Sequence, residues 1–182
     1  MPLSVVSRVW RAFALAEIGR FAEGTAGAED AIRQSEALGL AYSLYHAYWS
    51  LAAVYLGQGK PERAAEPIRR VVQLAWDSDA PRMNANGLLG HSHALAGRHA
   101  EALTLLEEGV LGTGRRNAFT GHRDVFYFGD AYLRAGRLDE ALHHSHRALD
   151  LARVSHARGG EAHALRLLGD VHAERGDLDQ AE

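Results

Sequence analysis

Five glycines recur along this chain at nearly equal intervals, and this regularity limits the fold more than any other feature. Gly19, Gly59, Gly97, Gly136 and Gly176, the anchor glycines, are separated by 40, 38, 39 and 40 residues. A residue with little or no side chain stands five positions after each anchor: Gly24, Ala64, Ala102, Ala141 and Ala181. A small residue also stands seven positions before each of the five anchors, at Ala12, Ala52, Gly90, Gly129 and Gly169. Self-similarity at a fixed period predicts a repeat architecture.

The spacing within each copy predicts two helices. Positions three, four and seven apart share a helix face, so small residues at these positions let two helices approach closely. Each anchor glycine is expected to end the first helix, and the polar residues after it to begin the second. The helices are predicted near 4–18, 22–38, 41–56, 61–76, 82–95, 99–110, 117–135, 138–157 and 160–175. Pro67 lies about two turns into the fourth helix and predicts a kink or a late helix start there.

These elements predict an all-α, right-handed superhelical solenoid in a single domain, 1–182. About four and a half antiparallel helix pairs are expected, with repeats at 1–39, 40–79, 80–116 and 117–157 and an incomplete one at 158–182. The last repeat stops just after its second helix begins, which suggests a fragment of a larger protein. We therefore expect Leu168, Val171 and Leu178 to lack packing partners, and the C-terminal end to fray or to self-associate.

The repeated pattern resembles the tetratricopeptide repeat. Leu-Gly-x-x-Tyr-x-x-x-Gly-x-x-x-x-Ala is approximated at 89–102, 128–141 and 168–181, with histidine replacing tyrosine in the first and last copies. The period near 39 exceeds the family's period of about 34, and the proline that usually closes the second helix is missing. The runs at 41–49, 135–141 and 161–169 are similar to the repeat region of bacterial proteins that join a nucleotide cyclase, an AAA-type ATPase and a C-terminal repeat array. That resemblance implies a regulatory or sensing segment.

Composition narrows the function classes. A net charge of -3 with dispersed Lys and Arg argues against nucleic-acid binding. No apolar run reaches the length of a membrane span and no signal peptide is apparent, so we expect a soluble, cytoplasmic protein that does not bind membranes. Zero cysteines exclude disulfides, thiolate catalysis and cysteine-ligated zinc.

Three features suggest chemistry, and each has a plainer explanation. The histidine clusters 143, 144, 146 and 91, 93, 99 suggest a metal, but His93 and His172 fall in the aromatic position of the repeat and the first cluster is expected near a solvated face. The glycine run 109–114 lacks the preceding strand of a phosphate-binding loop. Asp130 and Asp170 lie one repeat apart, where groove lining explains them better than acid–base catalysis. We predict no enzyme, no cofactor and no metal; an enzyme or metal protein built on the histidines is the third hypothesis.

A binding groove is the leading prediction, because the first helix of each pair lines the concave wall of such a stack. Positions 13, 10, 6 and 2 before the anchors of the later copies supply the candidate groove residues: His46, Trp49, Asn84, His91, Arg123, Phe126, Asp130, Arg134, His163, Arg166 and Asp170. This mixture suits a protein or peptide partner, with Trp49 and Phe126 as apolar anchors and Arg123 and Arg166 for carboxylates. Trp49 and Phe126 can equally be core residues. The basic-and-asparagine clamp that some repeat proteins use for a chaperone's terminal carboxylate is not reproduced.

The alternative is a module that senses a small metabolite and controls an ATPase or cyclase elsewhere in the parent chain. A closed, apolar concave pocket would favour this alternative, whereas an open, polar groove would favour a protein or peptide partner.

The face assignment also predicts how two substitutions differ. Ala102 and Ala141 are placed at helix contacts, and Arg123 in solvent. Replacing either alanine with leucine is therefore expected to destabilise the fold, while Arg123→Ala should change the free energy of unfolding by less than about 0.5 kcal/mol. Thermal or denaturant unfolding of the variants tests this ranking.

Overall fold

The computed structural model describes residues 1–75, 79–111 and 121–177, without the side chains of 79–84, 108–111 and 121–122. Within these ranges the regular structure consists of helices alone. They are α1 (Leu3–Glu17), α2 (Phe21–Ala37), α3 (Ala41–Gly57), α4 (Pro61–Leu74), α5 (Asp79–Leu95), α6 (His99–Leu111), α7 (Gly121–Arg134), α8 (Leu138–Val154) and α9 (Arg158–Arg175).

The predicted helices are all present, and most of their ends differ from the prediction by only a few residues. The predicted start of the seventh helix at 117 lies outside the described residues. A late start of α4 at Pro67 is wrong, because α4 begins at Pro61 and continues through Pro67, which is buried. Pro61 explains the early start: its ring fixes φ at a helical value, and a first-turn N–H has no intrahelical partner to lose.

The anchor glycines form the turn within each pair. All five have φ between 67° and 79°, the left-handed region that glycine enters without strain. The residue after each anchor donates its N–H to the carbonyl oxygen five residues back along the chain, as from Arg20 to Leu15 at 2.8 Å and from Arg137 to Tyr132 at 2.9 Å. This pairing satisfies the end of the first helix and turns the chain directly into the second. The predicted role of the anchors is confirmed.

Small residues let the two helices of a pair meet backbone to backbone. A Cβ atom added at Gly24 in α2 would lie 3.2 Å from the Ala12 carbonyl oxygen of α1, and one at Gly27 would lie 4.0 Å from the Arg8 carbonyl oxygen. Moving forward along α2 therefore moves backward along α1, so the pair is antiparallel. In the third pair a Cβ at Gly90 would lie only 2.7 Å from Leu106 Cγ.

The helix pairs stack in a row. The odd-numbered helices contact one another in succession, α1 with α3, α3 with α5, α5 with α7 and α7 with α9, while each even helix packs against the odd helices beside it. The buried core runs along this row, from Val5 and Val9 of α1 to Leu167 and Val171 of α9. The odd helices thus form one continuous wall, as expected for an all-α solenoid.

The expectation of unpacked residues at the C-terminal end is wrong for two of the three positions. Val171 is fully buried with Tyr132 and Ala141, and Leu168 is buried with Leu149. The preceding repeat supplies these partners, so neither residue needs the rest of the last repeat for its packing. Leu178 lies outside the described residues.

Ala141→Leu should destabilise the protein by roughly 1–3 kcal/mol, because Ala141 is fully buried at the contact of α7 and α8 and added atoms force neighbouring side chains off their rotamers. Ala26→Leu in α2 is the matched control, since Ala26 is exposed. Chemical denaturation of both variants measures the difference. Equal stability of the two variants would contradict the assigned packing.

Candidate functional site

A cavity of about 450 Å³ opens on the wall formed by the odd helices. Its surface is mainly apolar and aromatic, with a few charged groups and glycines. The lining residues are Phe13, Ala16, Glu17, Gly19, Phe21, Ala53, Leu56, Gly57, His91, Arg123, Phe126, Tyr127, Gly159, Gly160 and His163. These residues come from α1, α2, α3, α5, α7 and α9 and the first turn glycine, so the cavity depends on the curvature of the whole stack. A volume of this size is typical of ligand pockets.

The charged groups of the cavity meet at the Glu17 carboxylate. Arg123 Nη2 of α7 lies 3.3 Å from Glu17 Oε1, and His163 Nε2 of α9 lies 2.8 Å from Glu17 Oε2. Glu17 is the last residue of α1. The three side chains therefore join the first helix pair to the fourth and fifth across the concave side.

Aromatic rings hold the Arg123 guanidinium in place. Its Cζ lies 4.7 Å from the centroid of Phe13 and 5.8 Å from that of Trp49, and those two rings pack at 4.4 Å. The Arg123 side chain is only 24% exposed. The prediction that Arg123 lies in solvent is therefore wrong: the residue chosen as a free groove cation is fixed by cation–π and ion-pair contacts.

The inner surface of the cavity carries a neutral histidine. His91 is buried and stacks on Tyr127, with the ring centroids 4.3 Å apart. Burial lowers the pKa of His91 to about 4; the Asp130 carboxylate, 3.5 Å from Nδ1, opposes this effect, and Arg134 and Arg123 add to it. Burial likewise raises the pKa of Tyr127 to about 12. Both rings are therefore uncharged near neutral pH and favour an apolar occupant.

The carboxylate of Asp130, which lies behind the cavity, is paired with the guanidinium of Arg134. Asp130 is buried and accepts a hydrogen bond from Arg134 Nε at 2.8 Å, while Arg134 is largely exposed. A buried polar side chain without a hydrogen-bond partner is destabilising, and Arg134 supplies that partner. Asp130 and Arg134 thus support the wall without lining the cavity.

The structure brings four of the predicted groove residues together in the cavity: His91, Arg123, Phe126 and His163. Trp49 is 7% exposed and belongs to the core, which was the second explanation for it. Phe126 is partly buried and lies at the cavity, with its ring 5.5 Å from that of His163.

Three further candidates, His46, Arg166 and Asp170, do not line the cavity. Nδ1 of His46 lies 2.9 Å from the Tyr42 carbonyl oxygen, and burial lowers the pKa of His46. Arg166 donates to Asp170 at 2.8 Å, and both side chains are exposed. The side chain of Asn84 lies outside the described part of the chain.

Sequence reasoning missed Phe13 and Glu17, although a signal for both was present. They stand six and two positions before the first anchor, Gly19, and so occupy the same register as the residues selected in later copies. Phe21, Gly159 and Gly160 lie outside that register, because they come from helix starts that the curvature of the stack brings into the cavity.

The histidine clusters adopt packing or surface positions. His144 stacks on Phe128 and Tyr132, each at 5.2 Å, and His143 and His146 are exposed. Among the residues that the structure describes, no group of three or more His, Asp or Glu could hold a metal ion. The glycine run 109–114 lies partly in α6 and partly, at 112–114, outside the described residues. Within the described ranges no helix is both long and apolar enough to cross a bilayer.

Comparison with known families gives a consistent result. Residues 125–182 match a sequence family described as tetratricopeptide repeat, and residues 45–70 and 85–108 match a second family of the same description. Together these matches cover more than half of the chain.

One curated relative is the outer dynein arm-docking complex subunit 4 of Danio rerio. It is 27% identical over 151 residues, which cover 74% of this chain and 31% of that protein. The chain thus spans about a third of the length of this relative.

Solved structures share the fold. A crystal structure of putative kinesin light chain TPR-like repeats from Podosopora anserina superposes with a TM-score of 0.61 at 18% identity, covering 97% of this chain and 89% of that one. PilW, a type IV pilus biogenesis factor, superposes with a TM-score of 0.56 at 14% identity, covering 100% and 90%. At these identities the likeness concerns the fold, and it confirms the predicted all-α repeat solenoid.

The corrected position of Arg123 changes the expected effect of its removal. Arg123→Ala should destabilise the protein by about 1–2 kcal/mol, because it removes the cation from two ring faces and leaves Glu17 with one fewer partner. Urea denaturation measures the effect. A loss below about 0.5 kcal/mol would restore the original assignment of Arg123 to solvent.

The lowered pKa of His91 predicts a pH dependence of stability. Because an unfolded histidine titrates near about 6.5, the unfolded chain binds more protons than the folded chain between that pH and about 4. Stability from His91 is therefore full above about pH 6.5 and is lost as the pH falls through this window. His91→Phe should reduce the loss of unfolding free energy between pH 7 and pH 4.5 by roughly 1–3 kcal/mol. Parallel pH profiles for the two proteins would contradict the burial of this ring.

Proposed function

Because the chain belongs to the tetratricopeptide repeat proteins, we propose that its concave wall binds a segment of a partner protein and that the cavity takes a large apolar side chain of that segment. Tetratricopeptide repeats generally act as non-catalytic scaffolds for protein–protein interaction. The cavity on the wall formed by the odd helices supports the proposal. We call the bound stretch of the partner the ligand segment.

The observation that carries the proposal is the chemistry of the cavity surface. Phe13, Phe21, Phe126 and the neutral rings of His91 and Tyr127 surround a space of about 450 Å³. Most of the binding energy at protein interfaces comes from a few aromatic or aliphatic side chains buried in such pockets. Burying a Phe or Leu side chain contributes roughly 1.5–3 kcal/mol. The cavity therefore supplies an anchoring position, and the surrounding wall supplies weaker contacts along the segment.

The repeat domain is also proposed to belong to a larger protein. We infer that 1–182 is one repeat domain of a longer cytoplasmic protein and acts there as a regulatory segment of a bacterial signalling protein. The support is the similarity of 41–49, 135–141 and 161–169 to the repeat region of cyclase–ATPase proteins. The curated relative is a subunit of a docking complex, and docking is consistent with a scaffold.

A small metabolite is the second candidate occupant, and one observation favours it. The cavity is mainly apolar and is bordered by the contacts of Glu17 with Arg123 and His163, which resembles a closed pocket more than an open polar groove. A compact apolar molecule would then replace the side chain of the ligand segment. In that case binding would need no peptide backbone.

The proposal is tested with two libraries of capped, fluorescently labelled hexapeptides that differ at one central position. The first library has phenylalanine there and the second has serine, with mixed residues elsewhere. The phenylalanine library should bind about tenfold more tightly in fluorescence anisotropy, because a buried aromatic side chain contributes more than about 1.4 kcal/mol. Ala53→Trp fills the cavity from α3 and should abolish this preference.

Ala26→Trp is the matched control, since Ala26 is exposed on α2 and does not line the cavity. It should bind both libraries as the unmodified protein does. Equal binding of the two libraries, or a phenylalanine preference that survives Ala53→Trp, would contradict the proposal. Binding of free N-acetylphenylalaninamide as tight as that of the phenylalanine library would favour the small-molecule alternative.

A further inference from the structure

The carboxylate of Glu17 lies where its own helix disfavours it. Glu17 is the last residue of α1, and no basic side chain occurs in the last turn of that described helix. The C-terminal end of a helix carries partial negative charge, which repels a carboxylate by about 0.3–1 kcal/mol at exposed sites. Groups from other helices must therefore favour the observed position of the Glu17 side chain.

Three groups from α7 and α9 surround the Glu17 carboxylate. Arg123 and His163 each contact one of its oxygens, at 3.3 and 2.8 Å. The third group is the first turn of α9: a Cβ added at Gly159 would lie 2.9 Å from Glu17 Oε2. The start of a helix favours an anion. We call Arg123, His163 and the backbone at Gly159 the carboxylate seat.

Arg123, the cation of the seat, is held more firmly than the side chain that occupies the seat. Arg123 keeps its position against the faces of Phe13 and Trp49, and the His163 ring packs beside Phe126. Gly159 belongs to the backbone of α9. Glu17, in contrast, is 31% exposed and ends a helix, so its side chain can rotate into water without moving α1.

The seat and the apolar cavity form one surface. Glu17, Arg123 and His163 line the same cavity as Phe13 and Phe126. A ligand that fills the apolar part therefore places its neighbouring groups beside the seat. If that neighbour is a carboxylate, it can make the charge-assisted contacts that Glu17 makes, in an arrangement already formed before binding.

We propose that the seat receives an aspartate or glutamate side chain of the ligand segment, which exchanges with Glu17, so that the preferred partner carries an acidic residue next to a large apolar one. This inference rests on the proposed function, since it assumes that the cavity holds a protein segment. Glu17 acts in the unliganded protein as a stand-in for the partner's carboxylate. Exchange of one carboxylate for another keeps the Arg123 charge neutralised, whereas an uncharged ligand group would leave Glu17 in place.

The first test varies charge on both sides. Two capped hexapeptide libraries share the central phenylalanine and carry either aspartate or asparagine on each side of it, and fluorescence anisotropy gives their affinities. Glu17→Gln removes the competing charge and should tighten binding of the aspartate library about tenfold, as expected for one charge-assisted hydrogen bond. The asparagine library should change by less than about twofold.

Glu23→Gln is the matched control for this variant. Glu23 is an exposed glutamate that pairs with Arg20 at 2.6 Å, and it does not line the cavity. Its substitution removes the same charge from the neighbouring helix and should leave both affinities unchanged. Circular dichroism of each variant verifies that the helices are retained.

The second test blocks the seat without changing any charge. Gly159→Ala adds a methyl carbon 2.9 Å from Glu17 Oε2, closer than van der Waals contact, and alanine is favourable in a helix, so the variant should fold. Binding of the aspartate library should weaken about tenfold, while the asparagine library keeps its affinity. Gly27→Ala is the control, because a Cβ there has room, with its nearest neighbours at 4.0 Å.

The outcomes separate this inference from the proposed function. If Glu17→Gln tightens both libraries equally, Glu17 merely obstructs the cavity and the exchange is overturned. If phenylalanine peptides bind but aspartate gains nothing from Glu17→Gln, the seat is not a ligand site although the cavity is. If no phenylalanine peptide binds, the proposed function itself fails, and the inference fails with it.

Discussion

The close approach of two helices within each pair is the contact on which the rest of the structure depends. Glycine or alanine occupies the crossing point on both helices, and the backbone of one lies against the backbone of the other, as at Gly24 and the Ala12 carbonyl oxygen, 3.2 Å from an added Cβ. A larger residue there would separate the helices. Because the same small residues recur in successive pairs, the pairs have similar geometry and can stack side by side.

The stack then brings side chains from different repeats into contact on the wall formed by the odd helices. Phe13 and Trp49 come from the first two pairs and offer their faces to Arg123 of the fourth, while His91 of the third stacks on Tyr127. Burial keeps His91 and Tyr127 uncharged, and the aromatic faces hold the guanidinium, so the wall combines an apolar surface with one fixed cation. The charge of that cation is balanced by Glu17, a residue placed unfavourably in its own helix. Conflict of this kind between local preference and tertiary position is most often found at functional sites.

Most of the fold follows from the sequence because it depends on local interactions. The left-handed glycines, the small residues at fixed offsets and the helices between them are set within about 20 residues, and the repeat period makes them visible. His156 marks a limit: it adopts φ 53° twenty positions after Gly136, where Gly39 stands after Gly19, and its residue type does not reveal that turn. Pro67 is a second limit of the prediction from sequence. A proline at this position suggested a late helix start, but α4 begins at Pro61 and continues through Pro67.

The site follows from the sequence only in part. The register before each anchor identifies the inward face, and so finds His91, Arg123, Phe126 and His163. It does not give the curvature of the stack, which decides whether an inward residue reaches a cavity, as His163 does, or remains on the surface, as Arg166 does. Periodicity also cannot separate a groove aromatic from a core one, and Trp49 is core. Contacts between distant repeats, such as Glu17 with Arg123, depend on that curvature alone.

The Glu17–His163 contact has a consequence for how the chain comes apart. In most linear repeat arrays each unit touches only its neighbours, so the array behaves as a one-dimensional chain that can lose its terminal units one by one. Here a hydrogen bond spans 146 residues and links the first unit to the last described one. Fraying at either end therefore breaks a contact at the other, which gives a short open array some of the cooperativity of a closed ring.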